Sequence, residues 1–161
     1  MRALLDLCQG LPQRTYRPGD VLLGEGTKTD TLHVLVEGEV EICKNGIPIY
    51  ATAEPGSLFG EMSVLLQIPH TATVRAIGPC RAYFVGDAAG FLRSNHGLGH
   101  LLARLLAQRL NAMTSYLADL KAQFHDRSDH LGMVDEVLES LMHQQDDEVL
   151  PGSDRYPDVR L

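Results

Sequence analysis

The residues best suited to binding chemistry lie in one apolar stretch, residues 56–74. Glu61 follows Gly60 there and is flanked by Met62 and several aliphatic residues. A carboxylate in such surroundings costs free energy unless it has hydrogen-bond partners. The pattern predicts a short helical turn just after Gly60, and the first N–H groups of such a turn can bind an anion. The Glu61 carboxylate and these N–H groups together suit a ligand that carries both hydroxyl groups and a phosphate.

The segments around this stretch predict an antiparallel β domain. Short apolar segments between residues 16 and 86 are separated by glycine and proline turn signals. Asn45-Gly46 predicts a tight hairpin, and Pro48 places the returning strand at a sheet edge. The expected fold is mainly β with flanking helices, a β-roll or jelly roll. The predicted strands are residues 21–23, 31–36, 39–43, 47–51, 72–77 and 81–85.

A long helix is predicted after the β-roll, at about residues 97–124. Its apolar residues follow alternating spacings of four and three, which is a heptad pattern. We call these residues the seam: Leu106, Leu110, Met113, Leu117, Leu120 and Phe124. We expect the first part of the helix to dock on the β-roll and the far part to pair with a second copy of the chain. The predicted domains are residues 1–124 and residues 125–161.

The last segment predicts one further helix and an acidic tail. Ser128 or Asp129 is suited to cap a helix that ends near Gln144. Residues 145–161 are acidic and then rich in proline, glycine and serine. This composition predicts a tail that is mobile or becomes ordered against a protein partner.

Composition argues against several classes of protein. Fourteen basic and 21 acidic side chains leave a net charge of −7 without a basic stripe, so broad attraction to nucleic acid is not expected. No apolar run approaches the ~20 residues of a membrane span. The first nine residues lack the pattern of a secretory signal. Cys8, Cys43 and Cys80 are odd in number and widely spaced. We therefore expect a cytoplasmic protein with reduced cysteines.

The sequence does not predict an enzyme. A metal-dependent jelly roll needs clustered histidine and carboxylate ligands on neighbouring strands. His33 and His70 are the only histidines in the predicted β-roll, and no His-x-His motif occurs. Neither a nucleophile–base pair nor a phosphate-binding glycine–lysine loop is visible in the sequence. No metal or cofactor is expected.

The predicted roll, the long helix and several sequence blocks together resemble the cyclic nucleotide-binding domain. This is the domain of the catabolite activator protein, of kinase regulatory subunits and of cyclic nucleotide-gated channels. The resemblance covers roughly residues 12–120. The blocks that carry it are residues 16–22, Gly26, residues 32–40, Pro55-Gly56, Phe59-Gly60-Glu61 and residues 69–74.

The resemblance implies a ligand and a role for each matching residue. Glu61 would accept a hydrogen bond from the ribose 2′-hydroxyl of cAMP or cGMP, and Gly60 and Met62 would border the ribose and phosphate. Thr71 and Ala72 would offer a hydroxyl and an amide N–H to the phosphate. The base would be capped by the long helix near Met113, Thr114 and Tyr116.

His70 departs from the family pattern, because the family has a phosphate-binding arginine at this position. Histidine is shorter than arginine and only partly charged at neutral pH. Three interpretations stay open: His70 is a weaker, pH-sensitive phosphate ligand, the pocket takes another ligand, or the pocket no longer binds. Transcription factors of this family carry a helix-turn-helix after the long helix. Only about 37 residues follow Phe124, they predict a single helix, and the segment is acidic, so we do not expect DNA binding.

The sequence thus predicts a bacterial, cytoplasmic, dimeric sensor that binds cAMP or cGMP and signals through its long helix. The alternative is a degenerate domain that binds no nucleotide and serves as an interaction scaffold.

Overall fold

The computed structural model describes residues 2–123 and 132–143. The strands in these ranges are β1 (Gln13–Tyr16), β2 (Val21–Leu23), β3 (Leu32–Glu37), β4 (Val40–Lys44), β5 (Ile47–Thr52), β6 (Leu58–Phe59), β7 (Thr73–Ala76) and β8 (Cys80–Val85). The helices are α1 (Arg2–Leu7), α2 (Glu61–Leu66), α3 (Ala88–Ser94), α4 (His96–Gln123) and α5 (Gly132–His143).

The strands form two antiparallel sheets of four. One has the order β1-β8-β3-β6 and the other β2-β7-β4-β5. Buried side chains from both sheets make one core cluster, in which Leu35, Val40 and Ala82 are fully buried. This arrangement of two sheets around a shared core, followed by a long helix, confirms the predicted fold class.

The hairpin between β4 and β5 forms where the sequence predicts it. Asn45 and Gly46 both have positive φ, as this type of turn requires. β5 lies at the edge of its sheet, and Pro48 faces Cys43 at an irregularity in the register. A proline is tolerated there because an edge position spares it from donating a ladder hydrogen bond.

Three short elements were not predicted from the sequence. β1 is mostly exposed and polar, and its pairing with β8 is what makes it a strand. β6 has two residues and pairs with β3. α3 has seven residues and begins after Asp87, whose side chain accepts a hydrogen bond from the Gly90 N–H. Such short segments carry too little periodicity to be recognised alone.

The chain packs as two compact units, divided between Ala103 and Arg104 within α4. In the first unit, Leu98 and Leu102 of α4 are buried. In the second unit, Lys121 of α4 forms an ion pair with Asp135 of α5. Seam residues Leu110 and Met113 are exposed. Phe124, the predicted cap at Ser128 or Asp129 and the predicted tail lie outside the described residues.

The three cysteines lie inside the fold. Cys8, Cys43 and Cys80 are buried and form no disulfide. Burial raises the pKa of the Cys8 thiol to about 11, so it packs as a small apolar side chain. No helix in the described ranges has the length and apolar character to cross a membrane.

Candidate ligand-binding site

Gly60 and Glu61 connect β6 to α2, and the backbone there requires a glycine. Gly60 has φ of +99°, and a Cβ at this position would lie 2.5 Å from the Thr31 carbonyl oxygen. Only glycine tolerates both the conformation and the close approach. Glu61 then opens α2 with its side chain turned inward, since the residue is only 4% exposed. The predicted turn and its buried carboxylate are therefore both present.

The remainder of α2 ties the helix to the loop that follows it. The Ser63 hydroxyl donates to the Ile68 carbonyl oxygen at 2.5 Å. Gln67 ends the helix with positive φ, and its side-chain amide donates to the Val64 carbonyl at 2.6 Å. Met62 is 45% exposed. These contacts fix the loop that carries His70 relative to Glu61.

His70 is buried and held on both its backbone and its side chain. Its N–H donates to the Thr27 carbonyl, and its carbonyl accepts from the Gly26 N–H, each at 2.8 Å. Its Nε2 lies 2.6 Å from the Thr29 hydroxyl, which in turn lies 2.7 Å from the Thr31 hydroxyl. Burial lowers the pKa of His70. The imidazole is therefore neutral near pH 7, and one of its nitrogens already has a partner.

Residues 29–31 bring the two halves of the predicted site together. Thr29 contacts the His70 imidazole, and the Thr31 carbonyl packs against Gly60. Glu61 follows Gly60 directly. The predicted sugar-binding residues and the predicted phosphate-binding residue thus lie on either side of one short segment. Sequence reasoning did not single out these threonines, because polar residues in a loop carry no periodic signal.

Thr71 and Ala72 follow His70 and are half-buried. The Lys44 Nζ donates to the Thr71 carbonyl oxygen at 2.7 Å and pairs with Glu25 at 2.9 Å. The Asn45 N–H also donates to the Glu25 carboxylate, at 2.8 Å. Sequence reasoning missed Lys44 and Glu25. The Asn45-Gly46 hairpin placed Lys44 beside a turn, but nothing local indicated that the turn reaches Thr71.

Thr114, the predicted contact to the base, belongs to the second unit. Its hydroxyl donates to the Leu110 carbonyl oxygen at 2.9 Å within α4. A hydroxyl that bonds back to its own helix keeps its lone pairs for another donor. Its role toward a ligand stays a prediction.

His33 lies on β3, the strand between β6 and β8, and faces Phe59 and Phe84 across the sheet. It is 2% exposed, and its ring makes edge contacts with Tyr16 and Phe84 at centroid distances of 6.0 and 5.4 Å. Its Nδ1 has no hydrogen-bond partner among the described residues. Burial, and secondarily the nearby Arg14 and His70, lower the pKa of His33 to about 4. Both histidines of the roll are therefore uncharged.

A metal centre is not formed by the described residues. No group of three or more histidine, cysteine, aspartate or glutamate side chains comes together in residues 2–123 and 132–143. The chemistry that the site offers is hydrogen bonding to hydroxyl groups by a buried carboxylate, beside a loop of neutral donors.

Residues 13–91 match the family model of the cyclic nucleotide-binding domain. These residues form a domain of that family. The match covers all eight strands, α2 and the start of α3. It confirms the resemblance seen in the sequence and includes every predicted site residue except Met113, Thr114 and Tyr116 on α4.

Curated relatives match this chain over part of their longer sequences. An ABC transporter ATP-binding protein of Mycobacterium bovis is 38% identical over 86 residues, covering 51% of this chain and 26% of its own length. The acetyltransferase Pat of Mycolicibacterium smegmatis is 35% identical over 115 residues, covering 68% of this chain and 34% of its own. This chain therefore spans about a quarter to a third of the length of these relatives.

A solved structure gives the same fold. The catabolite activator protein of Thermus thermophilus aligns with a TM-score of 0.59 and 24% identity, over 78% of this chain and 60% of that one. At this level of identity the likeness supports the fold alone. In the cyclic nucleotide-binding domain described here, the candidate site contains a buried Glu61 and a buried, neutral His70.

Proposed function

We propose that this domain binds a cyclic nucleotide, cAMP or cGMP, and works as a regulatory sensor rather than as an enzyme. The observation that carries the proposal is Glu61, a carboxylate buried at the start of α2 behind a glycine that the backbone requires. A carboxylate has two oxygens that can each accept more than one hydrogen bond, so Glu61 can accept from a ribose hydroxyl in addition to its contacts within the protein. The family match of residues 13–91 supports the same ligand class.

The proposed ligand spans the two sides of residues 29–31. Glu61 accepts from the ribose 2′-hydroxyl, and the backbone at Gly60 and Met62 borders the sugar. The phosphate faces His70, Thr71 and Ala72. Because His70 is neutral, it offers the phosphate a hydrogen bond but little charge, so affinity is lower than with an arginine.

The test of this function is calorimetric titration of the native chain with cAMP, cGMP and their 2′-deoxy analogues. A hydrogen bond to a charged group is worth ~1.5–3 kcal/mol and one between neutral groups ~0.5–1.5. Glu61→Gln keeps an acceptor but removes its charge, so we expect roughly five- to tenfold weaker binding of the preferred nucleotide. The 2′-deoxy analogue should bind weakly and respond little to this substitution.

The control for this experiment is Glu39→Gln, which makes the same change on an exposed side chain. It should bind like the native chain. If Glu61→Gln weakens the nucleotide and its 2′-deoxy analogue equally, Glu61 does not contact the 2′-hydroxyl. If the native chain gives no heat with either nucleotide, the sensor function is wrong.

A second candidate function is an interaction scaffold that has lost its ligand. The observation in its favour is His70, which is buried, neutral and already bound to Thr29. A chain that shows no nucleotide binding, and no gain of binding when His70 is replaced by arginine, would favour the scaffold over the sensor.

We propose that the sensor is a cytoplasmic, bacterial homodimer that pairs through the seam on α4 and passes its signal along this helix. The support is the heptad spacing of the seam on a continuous helix, with Leu110 and Met113 exposed in the single chain. The tail is the proposed contact to a protein partner, and no DNA or membrane partner is proposed.

Leu117→Glu is expected to convert the dimer into a monomer, because it places a charge in the middle of the seam. Sedimentation velocity measures the change. Ser115→Glu adds the same charge on the opposite face of the helix and should leave the dimer intact. A dimer that survives Leu117→Glu would show that the chains pair elsewhere or not through this helix.

A further inference from the structure

A cation lies next to the loop that forms the phosphate half of the proposed site. Lys44, the last residue of β4, places its ammonium group 2.7 Å from the Thr71 carbonyl oxygen. Thr71 and Ala72 are the residues proposed to meet the phosphate. A positive charge is therefore built against the peptide that faces the ligand, although position 70 itself carries no charge.

The peptide bond between Thr71 and Ala72 can transmit the electrostatic effect of Lys44 to the ligand. Peptide bonds in the described structure are trans, so the Thr71 carbonyl and the Ala72 N–H point in opposite directions. A cation bound to the carbonyl fixes the direction of the N–H. It also polarises the peptide, which makes the N–H a stronger hydrogen-bond donor. Lys44 thus acts on a donor that points away from it.

Glu25 holds Lys44 in place and limits its charge. Its carboxylate pairs with the ammonium at 2.9 Å and accepts from the Asn45 N–H, while its own N–H donates to the Thr73 hydroxyl at 3.0 Å. The side chains of Lys44 and Glu25 are about one third and one quarter exposed. The pair is therefore anchored at three points on the loop and hairpin around Thr71.

Three arginines of the roll have other contacts. Arg75 pairs with Glu41 and Arg81 with Glu37, while Arg14 stacks on the Phe84 ring at 3.3 Å. Each of these contacts gives the guanidinium a partner outside the Thr71 loop. Lys44 is the cation that the structure shows bonded to the loop itself.

We propose that Lys44 supplies the positive charge for the phosphate half of the site, acting through the Thr71 peptide, and that Glu25 sets how much of this charge reaches the ligand. Lys44 is a positioning residue, because it works through the peptide and does not touch the phosphate. This inference rests on the proposed function and identifies the group that compensates for the neutral His70.

The test compares each cyclic nucleotide with the corresponding nucleoside, adenosine or guanosine, which lacks the phosphate. Lys44→Met removes the charge and the hydrogen bond. We expect it to weaken cyclic nucleotide binding roughly three- to tenfold, the effect of one unit charge acting near the protein surface, and to leave nucleoside binding unchanged. It should also flatten the dependence of nucleotide affinity on salt concentration.

Two further variants separate charge from structure. Lys44→Arg keeps the charge and should restore affinity. Glu25→Gln keeps one acceptor oxygen and removes the opposing charge, so it should tighten nucleotide binding roughly three- to tenfold. Arg75→Met, which breaks the ion pair with Glu41 elsewhere in the same sheet, is the matched control and should have no effect on binding.

The outcomes are distinct. If Lys44→Met weakens nucleotide and nucleoside equally, Lys44 only supports the loop and the inference is wrong. Unchanged nucleotide affinity in both Lys44→Met and Glu25→Gln also overturns it. A native chain that binds neither nucleotide overturns the proposed function itself, and the inference with it.

Discussion

Replacing His70 with arginine is expected to make the domain bind its cyclic nucleotide roughly ten to a hundred times more tightly. This is the effect of adding a hydrogen bond to a charged group, worth ~1.5–3 kcal/mol. Burial keeps the imidazole of His70 neutral, and its Nε2 is held by Thr29. A guanidinium is always charged and can bind two phosphate oxygens at once.

The same substitution should make the empty protein less stable. Position 70 is 4% exposed, and a cation buried there without an anion pays a desolvation cost. We therefore expect a lower melting temperature in the absence of ligand and a larger rise on adding nucleotide. Calorimetry measures the affinity, and thermal unfolding followed by circular dichroism measures the stability.

His70→Gln is the control for the arginine variant. Glutamine is neutral and can keep the hydrogen bond to Thr29, so its nucleotide affinity should stay close to that of the native chain. Adenosine and guanosine lack the phosphate and should bind equally well to the native and arginine proteins. An arginine variant that folds but binds nucleotide no better would show that the phosphate does not lie beside residue 70.

Acid is expected to destabilise the fold through His33, by about 3 kcal/mol between pH 8 and pH 4. The pKa of His33 is about 4 in the folded protein and 6.5 for the unperturbed side chain. The unfolded chain therefore takes up a proton near pH 6.5, whereas the folded chain resists it. The contribution of His33 to stability is complete above pH 6.5 and is lost as the pH falls toward 4.

The structure explains why His33 resists protonation. The residue is 2% exposed and packs between the rings of Tyr16 and Phe84, while Nδ1 has no hydrogen-bond partner in the described ranges. The Arg14 guanidinium repels a proton on this ring, and so does His70 at a pH low enough to charge it. A proton on this imidazole would be a charge in an apolar core beside other positive groups.

Chemical denaturation of native and His33→Phe proteins at pH 8 and pH 4 measures this contribution. Phenylalanine keeps a ring between Tyr16 and Phe84 and cannot take a proton, so the variant should lose about 3 kcal/mol less on acidification. His100→Gln changes an exposed histidine and should keep the native pH dependence. An unchanged pH dependence of stability in His33→Phe would mean that His33 takes up its proton at the same pH in the folded and the unfolded chain.

The sequence alone predicted the features that depend on residues close together along the chain. Alternating apolar residues and turn signals identified most strands, Asn45-Gly46 identified the hairpin, and heptad spacing identified α4. Gly60-Glu61 also belongs to this group, because a glycine followed by a carboxylate in an apolar run indicates a tight turn and a buried charge. These signals are local, since helices, strands and turns are selected by spacings of two to four residues.

Only the tertiary structure showed which groups at the site are charged and which are neutral. The sequence showed that His70 replaces an arginine, but not that the imidazole is buried, neutral and bonded to Thr29, 41 residues away. Nor did it show that Lys44 bridges the Glu25 carboxylate and the Thr71 carbonyl oxygen, since these residues come from three separate segments. Desolvation and ion pairing depend on which segments pack together, and no local pattern records that.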